Sequence, residues 1–206
     1  MSQEAERGDG SAAAERAFVP IGGETVYEGR LVDVRIERFR YPDGAEVSRE
    51  IVRHRGAVAV VAHDSDLVWL VRQPREAVAE SDLLEIPAGR LDVGGEAPLQ
   101  AAQRELAEEI GRGARVWEPI VTYYTGAGFT DERVHLFSAS ELHAASADSG
   151  EDERIEIVPW PLADLPAAIA ACRDAKSLIG LMWLQMRLNG TLQGQGGTGA
   201  GAKLGG

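Results

Sequence analysis

Three glutamates in Arg104-Glu-Leu-Ala-Glu-Glu-Ile-Gly111, namely Glu105, Glu108 and Glu109, carry the clearest chemistry in this chain. Spaced three and four residues apart, they share one face of a helix. Clustered anions repel, so a bare helix carrying them is destabilised until a cation neutralises the cluster. A carboxylate-only donor set suits hard divalent ions, Mg²⁺ with Mn²⁺ as a substitute, which often carry substrate phosphates. Just upstream, Glu85-Ile-Pro-Ala-Gly-Arg-Leu-Asp-Val-Gly-Gly-Glu96 adds a glycine-rich loop and a further carboxylate, Glu96. A solvated helix face is the plainer reading of such glutamates. It leaves unexplained Arg104 beside them and the Pro-Ala-Gly turn before them.

These residues need a frame. Thr25 to Tyr41 reads as strands, with Val32, Val34 and Ile36 on one face. Pro42-Asp43-Gly44 is a turn, and Glu46 to Arg53 the returning strand of a hairpin. The apolar runs from Gly56 to Ala62 and from Leu67 to Val71 predict short buried strands. The carboxylate helix is expected from Pro98 to Ile110, with Pro98 in its first turn and Gly111 as its stop. Val116 to Tyr124, Arg133 to Ala139 and Arg154 to Trp160 read as further strands. Two helices follow, Leu162 to Cys172 and Lys176 to Leu188, the second with an apolar face of Leu178, Ile179, Met182 and Met186. Mixed strands with helices outside imply an α+β fold or α/β/α sandwich. The expected organisation is a disordered tail over 1–15, an N-terminal antiparallel β subdomain over 16–53, a main domain over 54–189 and a glycine-rich disordered tail over 190–206.

With 206 residues and 44% hydrophobic content, the chain can bury one proper core. A formal charge of −12 argues against nucleic acid as a partner, which needs a basic footprint. A polyanionic small molecule stays compatible, because bound cations locally reverse the field. The one cysteine, Cys172, excludes an internal disulfide and reads as a packed structural thiol. No stretch approaches the ~18 apolar residues of a membrane span, and the acidic N-terminus lacks an apolar signal core. The expectation is a cytoplasmic protein with no membrane partner. His54, His63, His135 and His143 lack metal-ligand spacing and read as local hydrogen-bonding groups.

Gly89, Glu96, Arg104-Glu105-Leu106, Glu108-Glu109 and Gly111 resemble the Nudix box of the Nudix hydrolase superfamily. That motif usually has five residues between its first glycine and first glutamate. Here there are six, the extra one falling within Val93-Gly94-Gly95, where glycine best absorbs an insertion. The resemblance implies a Nudix α/β/α sandwich with a mixed sheet, preceded by the small N-terminal antiparallel subdomain. It makes Glu105 and Glu109 metal ligands, with the Ala88 carbonyl, and places Glu108 and Glu96 as auxiliary groups. Arg104 is the orienting partner that holds the carboxylate rotamers.

The flanks, Glu50 to Val61, Val71-Arg72-Gln73-Pro74-Arg75 and Leu84 to Gly89, resemble the bacterial ADP-ribose pyrophosphatase branch. This likeness runs from about Glu24 to Leu188 and implies a homodimer whose N-terminal strands cross onto the partner. It sets Arg53 and Arg75 near the phosphates and terminal ribose, and Arg90 joins them as a substrate-binding candidate. Tyr124-Thr-Gly-Ala-Gly128-Phe-Thr-Asp-Glu132 is similar to a substrate loop often written Ser-Pro-Gly-Phe-Ser-Asp-Glu. Gly128 would allow close backbone approach and Glu132 would reach a ribose hydroxyl. Ala127 stands where the family's proline marks ADP-ribose preference. In the acidic run Ser149 to Arg154, the likeness makes Glu151 the catalytic base and Glu153 a metal ligand, with the reverse assignment open. Phe39, Tyr41 and Phe129 are candidates to line a nucleobase slot. The implied activity is Mg²⁺-dependent hydrolysis of a nucleoside diphosphate sugar, ADP-ribose foremost, to AMP and ribose 5-phosphate. The rivals are another Nudix specificity (a GDP-sugar, dinucleoside polyphosphate or flavin dinucleotide) or a non-catalytic nucleotide-sugar sensor.

Overall fold

The structure, a computed structural model, describes residues 17–146 and 154–192. Among these, ten strands make a three-stranded and a seven-stranded sheet, accompanied by three α-helices. β1 (Val19–Glu28), β2 (Asp33–Arg40) and β3 (Glu46–Arg53) form the smaller sheet, antiparallel throughout. The expected turn closes its second hairpin. Gly44 takes φ +84° and donates to the Tyr41 carbonyl, while Asp43 Oδ1 accepts from the Ala45 N–H. No residue of these three strands is buried.

The larger sheet is built on β4 (Ala57–His63) and β5 (Leu67–Arg75), in the order β10-β5-β4-β9-β8. Its other strands are β6 (Glu80–Glu85), β7 (Ala88–Arg90), β8 (Arg112–Tyr124), β9 (Arg133–Ala144) and β10 (Glu156–Pro161). β6 pairs with β5 and β7 with β4. Val58, Val60, Val61, Val68, Leu70 and Val71 are fully buried. Their unbroken apolar run is what a strand covered on both faces requires, and each contributes about 1.5–3 kcal/mol of burial. The α+β class, the mixed sheet with helices and the N-terminal three-stranded sheet agree with expectation. β6 and β7 are not legible in the sequence. Glu80-Ser-Asp-Leu-Leu-Glu85 lacks alternation, and three residues of β7 are too few for periodicity.

The helices are α1 (Pro98–Ile110), α2 (Leu165–Ala171) and α3 (Ala175–Leu188). α1 begins and ends where the sequence places it. α3 corrects the expected face. Its buried residues are Ser177, Gly180, Leu181 and Leu184, whereas Met182 and Met186 are 50% and 42% exposed. A Cβ on Gly180 would lie 2.7 Å from Val61 Cγ2 and 3.2 Å from Ile86 Cδ1. The helix therefore seats on its smallest side chains, which hydrophobicity does not mark. The chain divides into two compact units, one of Met1–Val58, Gly89–Ala101 and Val121–His135, the other of Ala59–Ala88, Ala102–Ile120 and Leu136–Gly206.

Candidate active site

The extra residue of the glycine loop sits in a turn. Glu96 donates its N–H to the Val93 carbonyl at 3.2 Å, and Gly95 takes φ +82°. Nothing lies within 4 Å of where a Cβ on Gly94 or Gly95 would stand. α1 then starts with a side-chain cap, Gln100 Oε1 accepting the Ala97 N–H at 3.0 Å. It ends at Gly111, φ +63°, whose N–H returns to the Ala107 carbonyl.

The face that α1 buries is mixed. Ala101, Ala102, Leu106 and Ile110 are buried, and so are Glu105 and Glu109, only 9% and 8% exposed. A solvated face would leave both glutamates open. Buried carboxylates need polar partners, and the unit holding the second part of α1 supplies them. Arg104 Nη1 donates to Glu105 Oε1 at 2.8 Å and to Glu108 Oε2 at 2.9 Å. One guanidinium thus holds two carboxylates on adjacent turns. The Ala88 N–H donates to Glu109 Oε2 at 3.0 Å. Pro87 is fixed in turn, its carbonyl accepting the Val60 N–H at 2.8 Å. Among the described residues no three Asp, Glu, His or Cys side chains stand close enough to hold an ion by themselves. The oxygen-only set of Glu105, Glu109 and the Ala88 carbonyl fits a hard divalent ion that takes its other ligands from water or phosphate. Glu151 and Glu153 lie outside the described residues.

Arg75, in the same unit, donates through Nε and Nη2 to Glu85 Oε2 at 2.9 and 2.6 Å. Glu85 is 2% exposed, and its other oxygen takes Lys176 Nζ at 2.8 Å. Sequence reading missed Glu85 and Lys176; they lie 91 residues apart, and no local pattern links them. Cys172 is buried as expected. Burial first, and then Asp174, push its thiol up to about 11, far from a nucleophile's range.

The other unit carries Arg53, Arg90, Glu96, Gly128 and Glu132. Arg90 faces Asp92 at 3.4 Å. Arg53 bridges two carboxylates, Glu37 Oε1 at 2.7 Å and Asp131 Oδ2 at 2.8 Å. Those bonds, Glu37 first, raise its pKa further. Burial alone would raise the Asp131 carboxyl, but the Arg53 bond and the His54 N–H outweigh it and hold it below 3.8. Glu132 accepts from Thr125 Oγ1 at 2.7 Å and lies 3.3 Å from His54 Nδ1. His54 Nδ1 also accepts the Gly56 N–H, so this histidine has the local role expected of it. Val52 exchanges backbone bonds with Phe129 and Asp131. Sequence reading missed Asp131, whose partner Arg53 is 78 residues away. Phe39, Tyr41 and Phe129 do converge. With Phe18, Tyr124 and Gly128 they line one cavity of about 360 Å³.

Residues 52–178 match the NUDIX domain family, more than half of the chain, so this protein belongs to the Nudix family and is a Nudix hydrolase. Such hydrolases generally use divalent metals. Within the family it is ADP-ribose pyrophosphatase-like by homology. It is 37% identical over 172 residues to the ADP-ribose pyrophosphatase of Bacillus subtilis (strain 168), covering 81% of this chain and 92% of that one. It is 38% identical over 154 residues to the ADP-ribose pyrophosphatase of Mycobacterium tuberculosis, covering 73% and 74% respectively. The crystal structure of an ADP compounds hydrolase superposes with a TM-score of 0.74 at 26% identity, covering 84% of this chain and 95% of that one.

Proposed function

We propose that this chain is a Mg²⁺-dependent pyrophosphatase of nucleoside diphosphate sugars, with ADP-ribose as the leading substrate and AMP and ribose 5-phosphate as products. The observation that carries this reading is the pair Glu105 and Glu109, buried one helical turn apart and tied to Arg104 and the Ala88 N–H. By likeness to the family, Glu105, Glu109 and the Ala88 carbonyl would hold the ion, with Glu96 and Glu153 as further ligand candidates. When bound, Mg²⁺ supplies charge neutralisation at the pyrophosphate. Arg104 and the Ala88 N–H keep the carboxylates in one rotamer, so no reorganisation is needed at the moment of reaction. Glu151 takes the proton of the attacking water. The water's oxygen bonds to one phosphorus as the bond from that phosphorus to the bridging oxygen breaks. Glu108 shares Arg104 and maintains the charge balance of the cluster.

Substrate groups are assigned by likeness to the pyrophosphatases. Arg53, Arg75 and Arg90 meet phosphates and terminal ribose, Glu132 a ribose hydroxyl, and Gly128 admits close approach. The aromatic cavity matches the size of a small-ligand site and supports a nucleobase slot. Residues 54–189 form the hydrolase domain and 16–53 a dimerisation subdomain. Exposed Val19, Val26, Tyr27 and Leu31 support a homodimer. The protein works in the cytoplasm, where a lone cysteine stays reduced. Ala127 favours a second reading, a related specificity such as a GDP-sugar, dinucleoside polyphosphate or flavin dinucleotide, because alanine does not fix the loop angle as proline does.

The test is AMP release from ADP-ribose with Mg²⁺, wild type beside Glu109→Gln, with the rival substrates in parallel. Turnover that falls by about 10²-fold or more in the variant is expected for loss of a metal ligand. Turnover of a rival alone would move the substrate assignment, and equal turnover by both proteins would sink the metal site.

A further inference from the structure

The side chain of Ser177 is completely buried in the first turn of α3, yet it is polar and not part of the glutamate motif. Its hydroxyl donates to Asp174 Oδ2 at 2.7 Å and accepts the Ile86 N–H at 2.9 Å. Asp174 is the N-cap of α3, taking the Ser177 N–H at 3.0 Å. Lys176 Nζ bridges Asp174 Oδ2 at 2.9 Å and Glu85 Oε1 at 2.8 Å. Gly180, further along the same helix, brings α3 onto Ile86 and Val61. Glu85 and Ile86 are therefore gripped by α3, while Pro87 is gripped by Val60 and Ala88 by Glu109. Each of four consecutive residues is thus held by a partner from elsewhere in the chain.

We propose that the N-terminal turn of α3, through Asp174, Lys176 and Ser177, is a positioning device that sets the backbone of Glu85–Ala88 and with it the metal-holding geometry at Ala88 and Glu109. This rests on the metal reading above. Ser177 and Asp174 touch no reacting atom; they act through Ile86 and Glu85. Without the Ser177 hydroxyl, the buried Ile86 N–H has no acceptor, and the strand end must shift or admit water. The Ala88 carbonyl, two residues on, moves with it. Partners at this remove typically change metal affinity about 10- to 100-fold.

The experiment compares wild type, Ser177→Ala, Asp174→Asn and Leu184→Ala. Leu184 is buried on the same helix but belongs to neither the cap nor the segment, and it controls for loss of stability. Asp174→Asn keeps an acceptor for the cap and removes the charge facing Lys176. Two readouts are taken on full-length protein: amide exchange of residues 84–89 without metal, and Mn²⁺ binding by titration. In Ser177→Ala, exchange in this segment rises about tenfold while that of β4 holds, and Mn²⁺ binding weakens about tenfold. Asp174→Asn gives a smaller change in the same direction, and Leu184→Ala leaves both at the level its lower Tm alone dictates. Unchanged exchange in Ser177→Ala, or an equal change in Leu184→Ala, overturns the proposal. A loosened segment with unaltered Mn²⁺ binding overturns it too. Wild type that binds no Mn²⁺ overturns the metal reading, and with it the geometry at Ala88; it is told apart from failure of the α3 device alone by the exchange data.

Discussion

The sheet of β1 to β3 and the strand β4 both draw on β-branched apolar residues, yet they end in opposite states. Val58, Val60 and Val61 on β4 are fully buried, while Val19 and Val26 on β1 are 53% and 52% exposed. On β4 the side chains from Val58 to Ala62 are held by packing on every side. In the N-terminal sheet, order comes instead from backbone ladders and from ion pairs such as Arg53 with Glu37 and Asp131. The difference separates two ways of holding a site. Glu105 and Glu109 have little room to move, whereas the residues around Arg53 and Glu132 are joined by bonds that solvent can reach. If the proposed function holds, the first texture suits a metal centre that must stay rigid and the second a substrate surface that must adapt.

The sharpest way to break that comparison is to excavate the packed side. Leu136, 1% exposed on β9, should cost about 3 kcal/mol as Leu136→Ala, read as a drop in Tm and in denaturant midpoint. A loss under about 1 kcal/mol would mean the core yields as readily as the surface.

Next comes Arg53→Ala, expected to cost about 1 kcal/mol or less at neutral pH, since Arg53 and Asp131 are 39% and 36% exposed and solvent screens the pair. The pH dependence gives its sign. Asp131 is depressed below its ordinary 3.8 in the folded protein. Its stabilisation is full above that value and disappears as pH falls through the lower folded value. Wild type and variant should therefore converge in acid and diverge toward neutrality in urea titrations. A constant gap at all pH values would show that Asp131 does not sense Arg53.

The smallest effect is expected for Val26→Ser on the exposed strand. At dilutions where the protein is monomeric, stability should change by no more than about 0.5 kcal/mol. A homodimer formed through this face should instead dissociate at higher concentration than wild type in sedimentation. A variant that unfolds outright would place Val26 in a core that the structure does not contain.

How much was legible in advance follows the same divide. Helix α1, its proline start, its glycine stop and the pairing of Arg104 with its glutamates all lie within a few residues of one another, so spacing alone reveals them. That Glu105 and Glu109 share one face was readable because their separation matches a helical turn, whereas their burial was not. The grip of α3 on Ile86 was hidden for a different reason. The buried side of that helix consists of Ser177, Gly180, Leu181 and Leu184, and apolar periodicity instead selects Met182 and Met186. The helix also starts one residue earlier than expected, at Ala175, which conceals Asp174 as its cap. The pairs Arg53–Asp131 and Glu85–Lys176 were invisible because their members are distant in sequence, and only a folded chain brings them to hydrogen-bonding distance.

The turn at Gly94 and Gly95 has one more consequence. Because both glycines border open space and the turn closes on itself through Val93 and Glu96, the number of residues between Gly89 and Glu96 is decoupled from the helix that follows. Sequence signatures that fix this count at five would reject the chain, although the side of the motif that must be rigid is intact. Counting should begin at the cap of α1 and run forward. Upstream of that point, length is free to drift, and loops of other sizes can be grafted there without disturbing the register of the glutamates.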